Sequence, residues 1–370
     1  MSHDERTLHL GLISGTSADG IDAALASFDA APRLIAALTH PYPGDLRARI
    51  LELAQGRGET TLDEIGALDA RIGACFADAA LALLEQAQVR PAEVRAIGSH
   101  GQTLRHRPKA EHRFTLQLGD PNLIVERTGI TTVADFRRAD VAAGGQGAPL
   151  LPIFRAALFS RRGETRGVLN LGGIANLTVL RADGSMLGFD TGPANGLLDA
   201  WNALHTGAPF DRDGVFAARG RVDPALLSRL LDDDYFRAAP PKSTGREHFH
   251  LEWLHSRLAL APRPEDVQAT LVELTARSVA GAVLAHAHDA REILACGGGV
   301  HNPLLMHALQ AALAPCPVRS TAEHGVDPDY IEATAFAWLA RQRLAGQPGN
   351  LPSVTGARGP RLLGGVYAAR

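Results

Sequence analysis

A short turn rich in glycine, hydroxyl and carboxylate groups follows the first apolar stretch of the chain, at residues 15–22. Glycine lets the backbone approach a ligand closely, and hydroxyl and amide groups donate hydrogen bonds to phosphate oxygens. The carboxylates of Asp19 and Asp22 are suited to hold a metal ion or its bound waters. Because apolar runs flank the turn, the pattern predicts a phosphate-binding β-hairpin over residues 7–28.

Two better-known phosphate loops do not fit this turn. No Gly-Lys-Ser/Thr sequence is present, so the turn is not a Walker A loop, and the three-glycine spacing of a dinucleotide fingerprint is missing. The simplest alternative is a glycine-rich turn without a ligand. The carboxylates of Asp19 and Asp22 make that alternative less favourable.

A second region of the sequence repeats the same pattern. The apolar residues 168–171 lead to a turn at Gly172 and Gly173, and a later apolar segment ends at Asp190. The repeat lies in the pattern and not in matched residue identities. It predicts two copies of one architecture, each of which offers a hairpin to a ligand between them.

Three further predicted strands end in polar clusters. Residues 94–97 lead to the segment 98–103, and residues 114–118 lead to a polar turn. Residues 131–134 lead to the charged segment 135–138. In α/β proteins, ligands bind beyond the carboxyl ends of strands, so these clusters are candidate parts of a site.

Capping residues and prolines mark the starts of the predicted helices. Thr61 followed by Glu64 is a capping-box pattern, and it predicts a helix that ends near residue 88. Pro264, Pro303 and Pro328 each occupy the first position of a later helix pattern.

The composition is that of a globular protein without a polyanion as partner. The chain has 370 residues, of which 45% are hydrophobic and 21% charged, and its formal net charge is −3. No basic stripe runs along the sequence, which argues against nucleic acid as the main partner. No apolar run approaches the length of a membrane span.

The cysteines and the first residues predict a cytoplasmic protein. Cys75, Cys296 and Cys316 are widely spaced and odd in number, which favours reduced thiols over a disulfide framework or a zinc site. Residues 1–6 are polar and lead directly into a strand, unlike a signal peptide.

Nine motifs, taken in order along nearly the whole chain, resemble those of the anhydro-N-acetylmuramic acid kinase family. Any one of them would be weak evidence, but nine in sequence are highly specific. They are residues 15–22, 99–103, 135–138, 144–149, 170–176, 190–193, 242–247, 297–299 and 351–357.

The resemblance implies an α/β fold of two related actin-like ATPase (ribonuclease H-like) domains around a central cleft. We expect the first domain over residues 1–130 plus about 330–370, and the second over residues 131–329. The implied reaction converts 1,6-anhydro-N-acetylmuramate, ATP and water to N-acetylmuramate 6-phosphate and ADP, in peptidoglycan recycling. ATP, Mg²⁺ and a homodimer are implied, and neither nucleic acid nor membrane is expected as a partner.

This reaction is unusual because O6 of the sugar is bridged to C1 and carries no proton. Water must attack C1 while O6 is released toward the γ-phosphate. We expect the electrophilic phosphoryl group to replace the acid of a glycosidase, so that one carboxylate suffices as the base. Asp190 is the candidate base, since it ends a strand and falls where the family carries its catalytic aspartate. The alternative is an aspartate that caps the following helix.

The resemblance assigns three glycine-containing segments to the nucleotide. Gly172 and Gly173 would form the matching turn of the second domain, and Gly297, Gly298 and Gly299 would lie against the adenosine. A plain tight turn is the alternative for that triplet. The residues expected to hold the phosphates, with Asp19 or Asp22 also helping to hold Mg²⁺, are Gly15, Thr16, Ser17, Ala18, Asp19, Gly20, Ile21 and Asp22.

A sugar pocket is expected from His100, Gln102, Thr103, Asp135 and Arg137. An arginine fork suits the lactyl carboxylate, and glutamine or threonine suits the amide and hydroxyl groups. The histidine is expected to shape the pocket rather than to react. An interdomain salt bridge is the alternative role for one arginine of the cluster.

Other functions stay open at this stage. A plain sugar or carboxylate kinase of the same fold would need no water. A non-catalytic ATP switch or chaperone of the Hsp70/actin type would bind ATP without turning over an anhydro sugar. An NAD-binding enzyme is disfavoured by the missing fingerprint.

Overall fold

A computed structural model describes residues 7–15, 18–29, 32–56, 58–240, 242–245 and 248–370. The chain folds into strands and helices that alternate along much of its length. Within these residues the strands are β1 (Leu8–Ser14), β2 (Ile21–Ser27), β3 (Arg33–His40), β4 (Val94–Arg107), β5 (Phe114–Leu118), β6 (Thr132–Ala134), β7 (Arg166–Leu171), β8 (Ile174–Leu180), β9 (Met186–Pro193), β10 (Ile293–Cys296), β11 (Val318–Ser320) and β12 (Gly365–Tyr367).

The helices of the same residues range from one turn to about seven turns in length. They are α1 (Gly44–Ala54), α2 (Leu62–Ala87), α3 (Pro121–Thr128), α4 (Arg138–Ala142), α5 (Leu151–Phe159), α6 (Asn195–Thr206), α7 (Pro224–Leu231), α8 (Asp234–Arg237), α9 (Leu251–His255), α10 (Pro264–His286), α11 (Pro303–Leu313), α12 (Ile331–Leu344) and α13 (Pro352–Thr355). Short 3-10 turns lie at Pro91–Glu93, Arg212–Gly214, Ala217–Arg219, Gly298–His301 and Thr321–His324.

The chain divides into two compact units. The first unit comprises Met1–Phe154 and Tyr330–Arg370, and the second comprises Arg155–Asp329. The expected start of a second domain at residue 131 is therefore too early. The reason is that β6 pairs in parallel with β4 and antiparallel with β12, so it is part of the first sheet.

The first unit is built on a sheet with the strand order β12-β6-β4-β1-β2-β3, and β5 pairs with β4 beside this path. β1 pairs antiparallel with β2, which confirms the predicted hairpin. β4 lies parallel to β1 and to β6. β2 is therefore the only strand that opposes its neighbours within the order β3-β2-β1-β4-β6.

The second unit repeats this topology in the order β9-β8-β7-β10-β11. β8 is antiparallel to both of its neighbours, whereas β7, β10 and β11 are parallel. When β5, which lies beside the path, is left out of the count, both units have the strand order third, second, first, fourth, fifth with the second strand reversed. This shared order confirms the predicted fold class of two related ribonuclease H-like α/β domains.

Close packing of α12 against the first sheet depends on two glycines. A Cβ atom at Gly11 would lie 1.8 Å from the carbonyl oxygen of Ala333, and one at Gly98 would lie 2.0 Å from that of Phe336. Only a residue without a side chain allows the helix backbone to approach the strands this closely. α12 thereby covers β1 and β4 and positions the strand ends that carry the candidate residues.

One helix begins at the predicted capping residue, whereas another begins later than its proline predicts. Thr61 caps α2, because its Oγ1 accepts a hydrogen bond from the amide of Glu64 at 3.1 Å. The helix predicted from Pro328 instead begins at Ile331. The carbonyl of Pro328 accepts a hydrogen bond from the amide of Gly297 at 2.9 Å, so this residue belongs to a turn.

Candidate functional site

The turn between β1 and β2 is held by side chains from two other elements. The amide of Gln102 on β4 donates to the carbonyl of Gly15 at 3.1 Å, and Nε of Arg47 on α1 donates to the carbonyl of Ala18 at 3.0 Å. Ala18 is fully buried and has a φ of 48°, a left-handed conformation that costs energy for a residue with a side chain. The turn therefore has a fixed backbone within its described residues.

The two carboxylates of this turn have different partners. Asp19 is exposed and accepts from Nη2 of Arg47 at 2.7 Å. Asp22, next to the buried Ile21, accepts from Oγ1 of Thr39 on β3 at 2.6 Å. The predicted phosphate ligands Thr16 and Ser17 lie outside the described residues.

Gly20 is explained by packing. A Cβ atom at this position would lie 2.6 Å from Cγ2 of Thr39 and 3.0 Å from the carbonyl oxygen of His40. The glycine therefore allows β3 to approach the turn closely, which is a structural role whether or not a phosphate binds there.

The carboxylates are compatible with a magnesium ion held together with a substrate. Mg²⁺ is usually bound through one or two carboxylates plus phosphates and waters, rather than by a complete protein cage. The described residues contain no group of three or more histidine, cysteine, aspartate or glutamate side chains arranged as a metal site. Asp19 and Asp22 would be the one or two carboxylates of such a site.

Two predicted sugar residues, His100 and Arg137, contact each other. Nδ1 of His100 lies 2.8 Å from the carbonyl oxygen of Gly101, and Nε of Arg137 donates to Nε2 of His100 at 2.8 Å. Since Arg137 can only donate, Nε2 accepts and the proton of the imidazole sits on Nδ1. The ring also packs against Phe336, with the centroids 4.7 Å apart.

Burial and charge keep this histidine neutral. Loss of solvent lowers the pKa of His100 well below its usual value, and the guanidinium of Arg137 lowers it further. Burial also lowers the pKa of Arg137, to about 10, so this residue stays charged at neutral pH. The pair therefore presents one fixed cation held by a neutral ring, which fits the expected shaping role of His100.

A cavity of about 160 Å³ lies beside His100, at the middle of β4 and the carboxyl end of β6. Asp135 lines it with a φ of 63°, and burial raises the pKa of its carboxyl group. Asp69 on α2 and Gln117 on β5 also line the cavity. Burial raises the pKa of Asp69 as well, so two carboxyl groups with raised pKa values share this cavity.

Gln102 and Thr103 do not line this cavity. Gln102 is fully buried and holds the phosphate turn through Gly15, as described above. Thr103 accepts from the amide of Gln117 at 3.1 Å. The structure therefore brings His100, Arg137 and Asp135 into one neighbourhood, and it places Gln102 in support of the turn.

Within the described part of the chain, hydrogen bonds hold both the carboxylate and the backbone of Asp190 in the second unit. Its Oδ1 accepts from Nδ2 of Asn176 at 2.9 Å, and its Oδ2 accepts from the amide of Thr244 at 3.0 Å. Its own amide donates to the carbonyl of Lys242 at 3.1 Å, and its carbonyl accepts from the hydroxyl of Tyr235 at 2.8 Å. Donors at both carboxylate oxygens favour the charged form that a general base requires.

The capping alternative for Asp190 does not apply. α6 begins at Asn195 with Ala194 as its N-cap, and that cap makes no side-chain hydrogen bond. The motif at 242–247 also acquires a physical role, because its residues Lys242 and Thr244 bind Asp190. Arg246 and Glu247 of the same motif lie outside the described residues.

Lys242 also contacts Tyr235, the residue whose hydroxyl donates to the carbonyl of Asp190. Its Nζ donates to the carbonyl of Tyr235 at 2.9 Å and lies 4.6 Å from the centroid of the Tyr235 ring. Burial lowers the pKa of Lys242, while burial and the nearby charge of Asp190 raise the pKa of Tyr235. The tyrosine therefore stays protonated and donates to the backbone of Asp190.

The turn at Gly172 and Gly173 packs against the start of α6. The carbonyl of Gly172 accepts from the amide of Asn195 at 3.0 Å, and the carbonyl of Gly173 accepts from the amides of Ala194 and Gly196 at 3.1 and 3.0 Å. This turn is shorter than that of the first unit and carries no carboxylate.

The glycine triplet combines packing with a pocket. Gly297 has a φ of 82°, and a Cβ atom there would lie 2.6 Å from Oδ1 of Asn170; at Gly299 it would lie 2.5 Å from Cβ of Leu171. These two glycines are therefore needed for close packing against β7. Gly298 instead lines a cavity of about 420 Å³, together with Asn195, Leu198, Asp199, Phe210, Asp211, Arg212, Asp213, His301 and Asn302.

Several residues of these sites were missed from the sequence. Arg47, Asp69, Phe210 and Tyr235 lie in segments without a recognisable motif. Asn176 lies in the motif 170–176, but no role was predicted for it from the sequence. The polar residues at alternate positions of the otherwise apolar β8 were the available indication for Asn176.

Fold and site together define the class of the protein. Two units with the same ribonuclease H-like strand order carry a carboxylate-bearing glycine hairpin in one sheet and a donor-bound aspartate in the other. This is the architecture of the two-domain actin-like ATPase class, which includes sugar kinases.

The chain belongs to the anhydro-N-acetylmuramic acid kinase family, whose family model matches residues 7–369. It is 57% identical over 373 residues to the anhydro-N-acetylmuramic acid kinase of Xanthomonas campestris pv. campestris (strain 8004), covering 100% of this chain and 99% of that protein. The protein of the same name from Xylella fastidiosa is 55% identical over 367 residues, covering 98% and 96%. The predicted family and kinase activity are thereby confirmed, and a kinase family supports the use of ATP.

One solved structure that the chain matches is component A of (R)-2-hydroxyglutaryl-CoA dehydratase from Acidaminococcus fermentans. The TM-score is 0.49 at 12% identity, and the match covers 92% of this chain and 99% of that one. Among the described residues, no helix is both long enough and apolar enough to cross a membrane.

Proposed function

We propose that this chain couples hydrolytic opening of 1,6-anhydro-N-acetylmuramate to phosphorylation of its O6 by ATP, in the recycling of cell-wall peptidoglycan. Water forms a bond to C1 as the bond between C1 and O6 breaks. O6 then forms a bond to the γ-phosphorus, whose bond to the bridging oxygen of ADP breaks. The products are N-acetylmuramate 6-phosphate and ADP, and the proton of water passes to a carboxylate and then to solvent.

The observation that carries this proposal is the setting of Asp190. Both of its carboxylate oxygens accept hydrogen bonds, from Asn176 and from the amide of Thr244. A carboxylate held in this way is fixed in orientation, which a base that takes a proton from a water molecule requires. Because the bridged O6 has no proton to lose, a base directed at water is the one proton acceptor that the reaction needs.

The nucleotide has two candidate sites, one in each unit. The turn containing Ala18 and Gly20 is proposed to bind the phosphates, as other anion-binding turns do, and its shape is held in part by the amide of Ala18, which donates to the carbonyl of Gly15 at 3.1 Å. The cavity beside Gly298 has an aromatic wall at Phe210 and the guanidinium of Arg212 at 5.3 Å from its ring centroid. An apolar wall with a few polar groups suits adenosine.

Mg²⁺ would be held by Asp19 or Asp22, where it would neutralise the charge of the transferring phosphoryl group. Asp22 accepts from the hydroxyl of Thr39, which orients its carboxylate. Arg47 supplies a further positive charge at Asp19.

The lactyl carboxylate of the sugar is proposed to bind Arg137. Nε of this arginine is used by His100, while its Nη groups make no hydrogen bond to a side chain or backbone of the described residues. Those two groups form a planar fork of the kind that binds carboxylates in a bidentate manner. The N-acetyl group is assigned to the neighbourhood of Asp135 and Gln117.

The decisive experiment is turnover in water labelled with ¹⁸O. Hydrolytic opening places one labelled oxygen at C1 of the product and none in the phosphate. A plain sugar kinase of the same fold leaves C1 unlabelled, and that result would overturn the proposal. Incubation of the product alone in labelled water, for the same time, corrects for exchange at the anomeric carbon.

The resemblance also supports a cytoplasmic homodimer, which we include in the proposal. Light scattering should give a mass near twice the 39.2 kDa of the chain. A mass of one chain at all concentrations would contradict the dimer and leave the proposed reaction untouched.

A further inference from the structure

A buried arginine lies behind Asn176 in the second unit. Arg155 on α5 is only 2% exposed. Its Nη1 donates to Oδ1 of Asn176 at 3.0 Å and to Oγ1 of Thr178 at 2.9 Å. No ion pair among the described residues includes this arginine, and its Nε has no hydrogen-bond partner there.

Such an arrangement is costly for the folded state. A guanidinium taken out of water needs an opposite charge or a full set of acceptors to offset its lost hydration. Among the residues that the structure describes, Arg155 has instead two neutral acceptors, both on β8. An apolar residue at this position would make the core more stable, so the buried charge of Arg155 needs another explanation than stability.

The orientation of the Asn176 amide supplies that explanation. Asn176 and Asp190 are cross-strand partners in the register of β8 and β9. Either end of the amide could face the aspartate, but an oxygen there would repel the carboxylate. Because Arg155 can only donate, it binds Oδ1 of Asn176 and leaves Nδ2 as the atom that meets Asp190.

The hydrogen bonds from Arg155 to Asn176 and from Asn176 to Asp190 also stabilise the negative charge of the Asp190 carboxylate. A buried cation polarises the amide that it binds, and hydrogen bonds in series strengthen one another where water is excluded. The amide hydrogen that reaches Asp190 is therefore a stronger donor than that of an isolated asparagine. Thr244 holds the second carboxylate oxygen through its backbone, which no side-chain change can remove.

We propose that Arg155 is a positioning residue that acts through Asn176 to orient Asp190 and keep it ionised. This inference rests on the proposed role of Asp190 as the base. Arg155 is only 2% exposed and is assigned to neither the substrate nor the nucleotide, so its loss should lower kcat and leave binding nearly unchanged. Asn176 transmits the effect and should show the larger loss.

The experiment is a double-mutant cycle on kcat with the full-length protein. Asn176→Ala removes a hydrogen bond to a charged group, and kcat should fall about tenfold to a hundredfold. Arg155→Met should cost about tenfold, with the KM values for sugar and ATP changed by less than about threefold. The kcat of the double variant should lie within about twofold of the kcat of Asn176→Ala. The reason is that Arg155 acts through the Asn176 amide, which is already missing in that variant.

Two further variants separate positioning from folding. Arg155→Lys keeps the charge and one donor, so it should recover part of the kcat lost in Arg155→Met. Arg166→Met removes another mostly buried arginine of the same unit, one that pairs with Glu292 at 3.1 Å. It should lower the thermal midpoint and keep the wild-type kcat, which shows what a purely structural loss looks like.

The outcomes distinguish this inference from the proposed function. If Asp190→Asn keeps wild-type activity, the base assignment fails and this inference fails with it. If Asp190→Asn is inactive while Asn176→Ala and Arg155→Met have normal kcat, only the positioning role is wrong. Losses that multiply in the double variant would also overturn it. Should Arg155→Met fail to fold, Asn176→Ala and Arg155→Lys still decide the question through kcat.

Discussion

In the first sheet the carboxylate near the turn, Asp22, lies on the second strand and its donor, Thr39, lies on the third. In the second sheet the donor, Asn176, lies on the second strand and the carboxylate, Asp190, on the third. The strand order is the same in both. A shared topology therefore fixes where side chains meet, while the sequence decides which partner bears the charge.

The two glycine turns differ in the same way. The first is held by the side chains of Arg47 and Gln102, which reach it from α1 and β4. The second is held by backbone hydrogen bonds from the start of α6. A turn held by side chains can be altered by single substitutions, whereas a turn held by backbone groups resists them. Single substitutions should therefore change the structure of the first turn more than that of the second.

The largest expected effect separates the two carboxylates. Asp190→Asn should lower kcat by about 10³- to 10⁴-fold with nucleotide binding retained, because a general base is lost. Asp22→Asn should act mainly on the nucleotide, with a loss of about tenfold to a hundredfold that high Mg²⁺ partly relieves. Steady-state kinetics over a magnesium series tests both. Equal behaviour of the two variants would contradict the different roles assigned to the two sheets.

Stability should respond to the tight helix contact in the first unit. Gly11→Ala forces a Cβ atom against the carbonyl of Ala333 and should lower the free energy of unfolding by about 3 kcal/mol. Gly281→Ala in α10 meets no atom within 4 Å and should raise it by up to about 1 kcal/mol. Urea denaturation measures both values. A Gly11→Ala protein as stable as the wild type would show that α12 can move.

Acid should weaken the first unit through its buried histidines. Burial lowers the pKa of His9 to about 4 and that of His100 well below 6.5, so the unfolded chain takes up these protons first as the pH falls. The neutral histidines leave the free energy of unfolding at its full value above pH 6.5, and this free energy falls as the pH is lowered from 6.5 toward the pKa of each folded histidine. Each histidine should cost about 1.4 kcal/mol per pH unit over that window.

Urea denaturation at pH 7.5 and 5.5 checks this pH dependence. His9→Gln should have a smaller difference between the two pH values than the wild type. The exposed His112→Gln is the matched control and should keep the wild-type difference. The same difference in all three proteins would rule out a contribution from His9.

The smallest effect is expected at Thr39. Thr39→Val removes the hydroxyl that donates to Asp22 and should raise the KM for MgATP about threefold. Thr39→Ser keeps the hydroxyl and should resemble the wild type. A change in kcat as large as that of Asn176→Ala would mean that the donors of the two sheets act on the same step.

Local patterns predicted the elements that depend on local interactions. The start of α2 at Thr61 and the bounds of β5 follow from capping and alternation. β4 was predicted to end near residue 97 but extends to Arg107, because it continues as the partner of β5. The later start of α12 has the same kind of cause, a hydrogen bond from the distant Gly297.

The residues of the candidate site also differ in whether a local sequence pattern identifies them. Asp190 and the phosphate turn carry short motifs, so the sequence alone identified them as candidates. Arg155, Tyr235 and Thr244 contact Asp190 or its partner across 21, 45 and 54 residues of chain, and no local pattern encodes such contacts. Gln102 was expected in the sugar pocket, but its side chain turns toward Gly15.

The way in which α12 and β12 complete the first sheet also has a consequence for synthesis on the ribosome. Strands β1 to β6 emerge early, yet the helix that covers them begins only at Ile331 and their edge partner ends at Tyr367. Arg155–Asp329 is a continuous stretch and can fold as soon as it has left the exit tunnel. At about 5–20 residues per second, the early strands wait roughly 10–40 s for their cover. The unit that contains the earliest strands is therefore the last to be completed, and these strands stay without their covering helix in the meantime.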